Sequence, residues 1–452
     1  MRQPFEPLNG NVLIAMPKRL QRLHRTLTIG MVFVAGSTTI FAHQDQTVLT
    51  LDQALKLAKD RNGTVKSAFL QVKSADASVT QAAAAFLPTV TGQLQYNSNR
   101  QQFVTTGSST AFLQTEGNQS FLNTTWTLLD SGQRDYSLKS AQRSRDSREY
   151  NAKQVLRSTL FSVVQQYYNT LRAQELERVA QAEVTRAQTI LDQTQTRIKA
   201  RDAAQIEELQ ANADFQNARV SALTAKNQET NAAATLKGTI GLSAADPLPA
   251  LKTEDTSITP SVPESLQSLI LEGVSKRPDI IAQRKNIESE KYSKMLADRQ
   301  AGITMSLNGS YIQQTSPVSL QNRSLTFLVG IPIFDGGSLK AAARQINYAI
   351  KADQSTLEQA ERVVRAEIEA AYVELQTNAE RLQASQVALE AARKNYEAAV
   401  DSQKAGAYDL LQVITAQISL VTAESNQIQA LYDYRISDVN LKLVTGRAIP
   451  GE

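Results

Sequence analysis

The chain has 452 residues, no cysteine and two histidines, with a formal net charge of +4. His24 and His43 both lie near the N-terminus, so thiol catalysis, histidine-based triads, zinc sites and most transition-metal sites are excluded from everything that follows them. Residues 1–42 hold five of the 48 basic and one of the 44 acidic residues, which leaves 43 of each beyond them, without the clustered positive field that a nucleic-acid surface needs.

Residues 16–42 read as a secretory signal. Lys18, Arg19, Arg22 and Arg25 precede an apolar run from Leu27 to Phe41, and Ile40 and Ala42 suit the −3 and −1 cleavage positions, with Met16 as a candidate start. The run is too short and too rich in Gly, Ser and Thr for a good spanning helix.

From Leu51 to Phe86 the chain reads as helical, with Leu51, Ala54, Leu55 and Ala58 at helical spacing. Asn62-Gly63 breaks this run and Pro88 ends it. The period then changes to two. Val90, Gly92, Leu94 and Tyr96 alternate with Thr89, Thr91, Gln93 and Gln95, and Leu122, Thr124, Trp126 and Leu128 repeat the pattern more weakly. One apolar face and one uncharged polar face is the pattern of a membrane-spanning strand beside a wet lumen, although a half-buried strand of a soluble sheet shares it. The segment between, Asn97 to Ser120, is a polar hairpin tip.

Gln133 to Lys237 contains neither Gly nor Pro. Its first part, Gln133–Lys199, would extend roughly 100 Å as a helix, turn near Arg201-Asp202 and return. Asp246 to Pro263 carries four prolines and reads as a linker.

The plan then recurs. Leu266, Leu269, Ile270 and Gly273 begin a second short helical run, broken at Arg277-Pro278-Asp279. Ile303, Met305, Leu307, Gly309 and Tyr311 alternate with polar residues, as do Leu325, Phe327, Val329, Ile331 and Ile333 with their neighbours. A second long helix from Ser338 turns near Gly406-Ala407. In it Ile368, Leu375, Leu382, Leu389 and Tyr396 fall one heptad apart, a narrow coiled-coil seam. At an offset of 205, Leu128-Leu129-Asp130-Ser131-Gly132 matches Ile333-Phe334-Asp335-Gly336-Gly337, Arg157 matches Arg362, Tyr167 matches Tyr372, and Gly241 matches Gly446. The expected plan is a signal over 1–42, a first copy over 43–250 (hairpin 88–129, helical hairpin 133–240), a linker over 251–263, a second copy over 264–446 (hairpin 303–334, helical hairpin 338–445) and a tail over 447–452. Asp130, Gly132, Asp335, Gly336 and Gly337 form the strand–helix junctions, where Asp or Ser can cap the helix and Gly permits the turn.

Four transmembrane strands cannot close a barrel, and open edges are not tolerated in lipid, so several chains must pool their strands. With these features the chain resembles the TolC-like outer-membrane efflux proteins over residues 48–446, most specifically at the two junctions, at Arg277-Pro278-Asp279-Ile280, and in the helical hairpins closing at Gly241 and Gly446. The resemblance implies a mostly helical homotrimer. Three chains would give a twelve-stranded barrel among outer-membrane lipids, continued by a twelve-helix barrel in the periplasm. It implies export of drugs, metabolites or proteins, an adaptor and an inner-membrane transporter as partners, and no catalytic residue, cofactor or metal. It also implies that the turns at Lys199–Ala203 and Lys404–Tyr408 meet the adaptor. Arg201 departs from the glycine usual there, whereas Gly406 keeps it. Gln412 and Thr415 stand where some relatives carry aspartate rings, so an acidic constriction is expected to be missing. Glu207 keeps a carboxylate that ties the closed state in relatives, and Asp202, Glu208, Tyr408 and Asp409 are its candidate neighbours in a gate. A periplasmic coiled-coil adaptor or scaffold without a membrane barrel is the alternative. An enzyme is disfavoured, because no acid pair sits in a recognisable catalytic context.

Overall fold

Asn62 shows how short polar signals set this fold. A computed structural model describes residues 48–105, 109–243, 245–253, 258–263, 265–314 and 319–452. The expected signal and its cleavage site lie outside the described residues. Helix α1 (Leu51–Arg61) begins with a capping box, Thr50 Oγ1 accepting from Gln53 N while Gln53 Oε1 accepts from Thr50 N. Asn62 ends α1 and caps α2 (Gly63–Ala84) by accepting from Thr64 N at 2.9 Å. After it come β1 (Thr89–Thr105), β2 (Ser109–Leu129), α3 (Gln133–Lys199) and α4 (Gln205–Thr239). The second half holds α5 (Leu266–Lys276), α6 (Pro278–Arg299), β3 (Thr304–Gln314), β4 (Leu320–Gly330), α7 (Ser338–Lys404) and α8 (Leu410–Val444). Helix lengths of 11, 22, 67 and 35 residues occur in that order in both halves.

The returning helices meet the short ones end to end. Asn62 Nδ2 donates to Thr239 O at 3.1 Å, placing the end of α4 against the start of α2. Gly241 sits in this joint with φ +76°, and a Cβ on it would lie 2.9 Å from Arg61 Cβ. Gly446, φ +73°, makes the same approach to Lys276 and Arg277, where α8 meets the α5–α6 break. Pro278 at the first turn of α6 removes a donor that had no partner there.

The four strands form one antiparallel sheet in the order β1-β2-β3-β4. Register joins the apolar positions on one face. Gly92 pairs with Leu122, Leu122 with Tyr311, Trp126 with Leu307, and Leu307 with Phe327. That face is uncovered: Leu94 is 86% exposed and Leu325 75%. The other face carries Thr91, Gln93, Asn123, Asn308 and Thr326, with Phe121, Ile312, Leu320 and Leu328 among its apolar exceptions. The expected continuation of the last strand through Ile333 does not occur. β4 stops at Gly330, because Pro332 has no N–H for a ladder. No helix among the described residues is long and apolar enough to cross a membrane.

Burial separates helices of equal length. α3 packs on α2 and α4 at one side and on α6 and α8 at the other, whereas α7 packs on α5, α6 and α8. α3 accordingly buries 16 residues and α7 nine; α8 buries 15 and α4 three. α4 and α7 are therefore the outer helices of the chain. The heptad seam of α7 faces inward, with Ile368, Leu375 and Leu382 fully buried and Leu389 and Tyr396 half-buried.

The linker and the tail both make contacts with the helices. The linker pairs Leu251 with Leu49, and Tyr167 Oη donates to both Leu49 O and Lys252 O across that bridge. The tail buries Ile449, and Glu452 accepts from Arg157 at 2.7 Å.

Candidate functional site

The seam between strands and helices is built the same way twice. Asp130 Oδ1 accepts from Gly132 N at 3.2 Å and its Oδ2 from Arg134 N at 2.9 Å. Asp335 accepts from Gly337 N at 2.9 Å and Leu339 N at 2.7 Å. Each aspartate caps from two residues ahead of the N-terminal glycine, satisfying donors that a helix start leaves open. The Leu339 and Gly337 amides hold the Asp335 carboxyl below its ordinary 3.8. The first seam has a clamp that the second lacks. Arg134 pairs with Asp130 at 2.8 Å, donates to Thr127 O at 2.7 Å and to Ala85 O, and stacks 4.9 Å above the Phe86 ring. The corresponding residue of the second seam is Leu339. There Ile333 and Phe334 lie open, at 96% and 90% exposure.

At the far end of the long helices the two turns share a cleft of about 1100 Å³. Six predicted residues line it: Asp202, Glu207, Gly406, Tyr408, Asp409 and Gln412. Arg201, Glu208 and Thr415 are not among its lining residues. Both turns close alike, Asp202 N donating to Arg197 O at 2.8 Å and Ala407 N to Ser402 O at 2.9 Å. Arg201 takes the left-handed conformation, φ 63°, that Gly406 takes at φ 75°. The departure from glycine thus leaves the turn type unchanged and adds strain.

Glu207 and Asp409 are engaged within their own hairpins. Glu207 Oε1 accepts from Ala204 N at the start of α4, and its Oε2 pairs with Arg197 at 3.2 Å. Arg197 also donates to Asp202 O at 3.0 Å, so it binds the turn together. Sequence reasoning missed it; its only signal is its place one turn before the left-handed residue. Asp409 and Gln412 form a full capping box on α8. Glu208 accepts from Gln195 and Gln205, and Thr415 donates to Leu411 O on its own helix.

Above the tip a polar cluster lies between α3, α4 and α8, also unread from sequence. Arg186 pairs with Glu424 at 3.2 Å, and the fully buried Gln417 donates to Asp214 at 3.4 Å. Burial pushes the Asp214 carboxyl up, opposed by the Gln417 hydrogen bond. Burial also pushes Glu183 up, reinforced by the Asp214 charge and opposed by Arg186. Among the described residues no group of three or more His, Cys, Asp or Glu could hold a metal ion.

The family model described as "Outer membrane efflux protein" matches residues 54–242 and 269–447. Outer membrane protein TolC of Vibrio cholerae is 24% identical over 399 residues, covering 86% of this chain and 89% of its own. Among solved structures, the Campylobacter jejuni CmeC outer membrane channel superposes with a TM-score of 0.74 at 17% identity, over 89% of this chain and 86% of that one. The open state of the Neisseria gonorrhoeae MtrE outer membrane channel gives 0.71 at 18%, over 89% and 90%. At these identities the structures speak for the fold.

Proposed function

Because the chain belongs to the outer membrane efflux protein family, we propose that three copies close into one passive export duct. In this reading the sheets join edge to edge as a twelve-stranded barrel in the outer membrane, and the helices continue it as a twelve-helix tube through the periplasm. One observation carries it: among the described residues the chain leaves two kinds of edge unfilled. β1 and β4 each have one unpaired side, beside an apolar sheet face with no cover, and α4 and α7 keep open the faces that α8 and α3 bury. Unpaired strand edges in lipid cost several kcal/mol per group, so closure with further copies satisfies them.

Cargo would enter at the helical tip, through an adaptor linked to an inner-membrane transporter. The cleft between the two turns, with Arg197–Glu207 on one hairpin and Tyr408 and Asp409 on the other, is the proposed gate. Opening requires the two hairpins to part, while each keeps its own caps. Purified particles in a planar bilayer test this. A low-conductance resting state is expected in wild type and in Glu207→Gln alike, because the bonds of Glu207 lie within its own hairpin. No conductance in either protein would contradict a duct. An adaptor without a barrel would instead leave outer membranes in a salt wash, whereas a barrel needs detergent.

A further inference from the structure

We propose that Arg362 is a latch between subunits, its guanidinium taking the C-terminal cap of α4 in a second copy of this chain. The proposal rests on the trimeric reading above and specifies one contact within it.

Within one chain the contact already exists between α3 and α8. Arg157, only 7% exposed at its side chain, donates to Arg447 O at 2.6 Å and Lys442 O at 3.4 Å, and pairs with Glu452 Oε1 at 2.7 Å. It thereby neutralises the carbonyl end of α8, where a cation is favoured. The receiving cap is specific. Arg447 N closes onto Lys442 O at 2.9 Å, Glu452 N donates to Ile449 O at 3.2 Å, and Glu452 Oε2 accepts from Ile449 N at 3.1 Å.

The end of α4 carries the same cap. Leu242 N closes onto Lys237 O at 2.9 Å, Asp246 N donates to Ser243 O at 3.1 Å, and Asp246 Oδ2 accepts from Ser243 N at 3.0 Å. Asp246 therefore plays the part of Glu452, one residue off the 205 offset that pairs Leu242 with Arg447, and it is exposed. The matching guanidinium is Arg362, 205 residues after Arg157 on a helix of the same length as α3. In its own chain α7 packs on α5, α6 and α8, and among the described residues it has no comparable packing on α4 that would bring Arg362 to this cap. Arg362 is exposed, and its only recorded partner among the described residues is Gln359, one turn back on the same helix.

The surrounding faces point to a second copy. Ile414 and Ile428 of α8 are 8% and 7% exposed, while Leu209 and Leu223, their counterparts on α4, are 60% and 71% exposed. Tyr168 of α3 is buried, while its counterpart Val373 on α7 is open. An α7–α4 contact between copies would cover both, as the α3–α8 contact does within one chain.

The absence of cysteine allows a direct test. Arg362→Cys combined with Leu242→Cys, treated with a short bismaleimide, should give bands of two and three linked chains. Arg157→Cys with Arg447→Cys should link only within one chain. Alongside, Arg362→Ala and Asp246→Asn should each speed dissociation of the detergent-solubilised trimer about tenfold, and the double variant no more than either single one. Arg362→Lys should restore part of the loss. A trimer that forms but shows no inter-chain link at this pair, or dissociates at the wild-type rate in Arg362→Ala, overturns the latch and spares the duct. Particles that never exceed one chain overturn both.

Discussion

Arg201 and Gly406 hold one backbone conformation with different side chains. A left-handed arginine costs about 1–2 kcal/mol against the right-handed form, and glycine loses part of that advantage through its freer unfolded chain. Arg201→Gly should therefore stabilise the first turn by about 0.5 kcal/mol. The readout is hydrogen exchange at the Asp202 amide, which donates to Arg197 O. Slower exchange is expected, and faster exchange would mean that the arginine side chain itself holds the turn. Asp335 offers a pH test at the same scale. Its folded pKa is depressed by the Leu339 and Gly337 amides, so its cap is present above the ordinary 3.8 and is lost as pH falls through the lower folded value. Protection of the Gly337 and Leu339 amides should fall in that range, and Asp335→Asn should remove the dependence. Asp130→Ala should cost about 1–2 kcal/mol in local stability, because it removes a cap and strands Arg134.

The elements themselves were largely legible. Alternation at Val90–Tyr96 and Met305–Tyr311 announced strands, the runs free of Gly and Pro announced the long helices, and Asn62 and Pro278 marked their breaks. What could not be read is made by helices distant in sequence. Arg197, one turn before a left-handed residue, looks like any surface arginine until Glu207 folds back beside it. Asp214 looks solvated until α3 and α8 close over it. Docking of 251–253 and 447–452 likewise depends on Tyr167 and Arg157, which lie far away in sequence. Burial raises the folded pKa of Asp214 above 3.8, so folding favours its protonated form. Between 3.8 and that raised value the folded chain binds more protons, and stability from this group falls as pH rises. Asp214→Asn should raise the melting temperature at neutral pH and flatten its decline with rising pH relative to wild type. An unchanged profile would show that Asp214 is solvated in the assembled particle.

At the scale of the molecule, the described residues of the single chain leave edges open. Its sheet has two open edges and an apolar face, and two of its four long helical elements have neighbours on one side only. In the proposed trimer, copies of the same chain fill those edges. The most direct test is the native mass of the particle extracted from outer membranes in mild detergent. A mass of three processed chains is predicted, with no stable smaller species. A folded single chain that stays soluble in buffer without detergent would contradict the account.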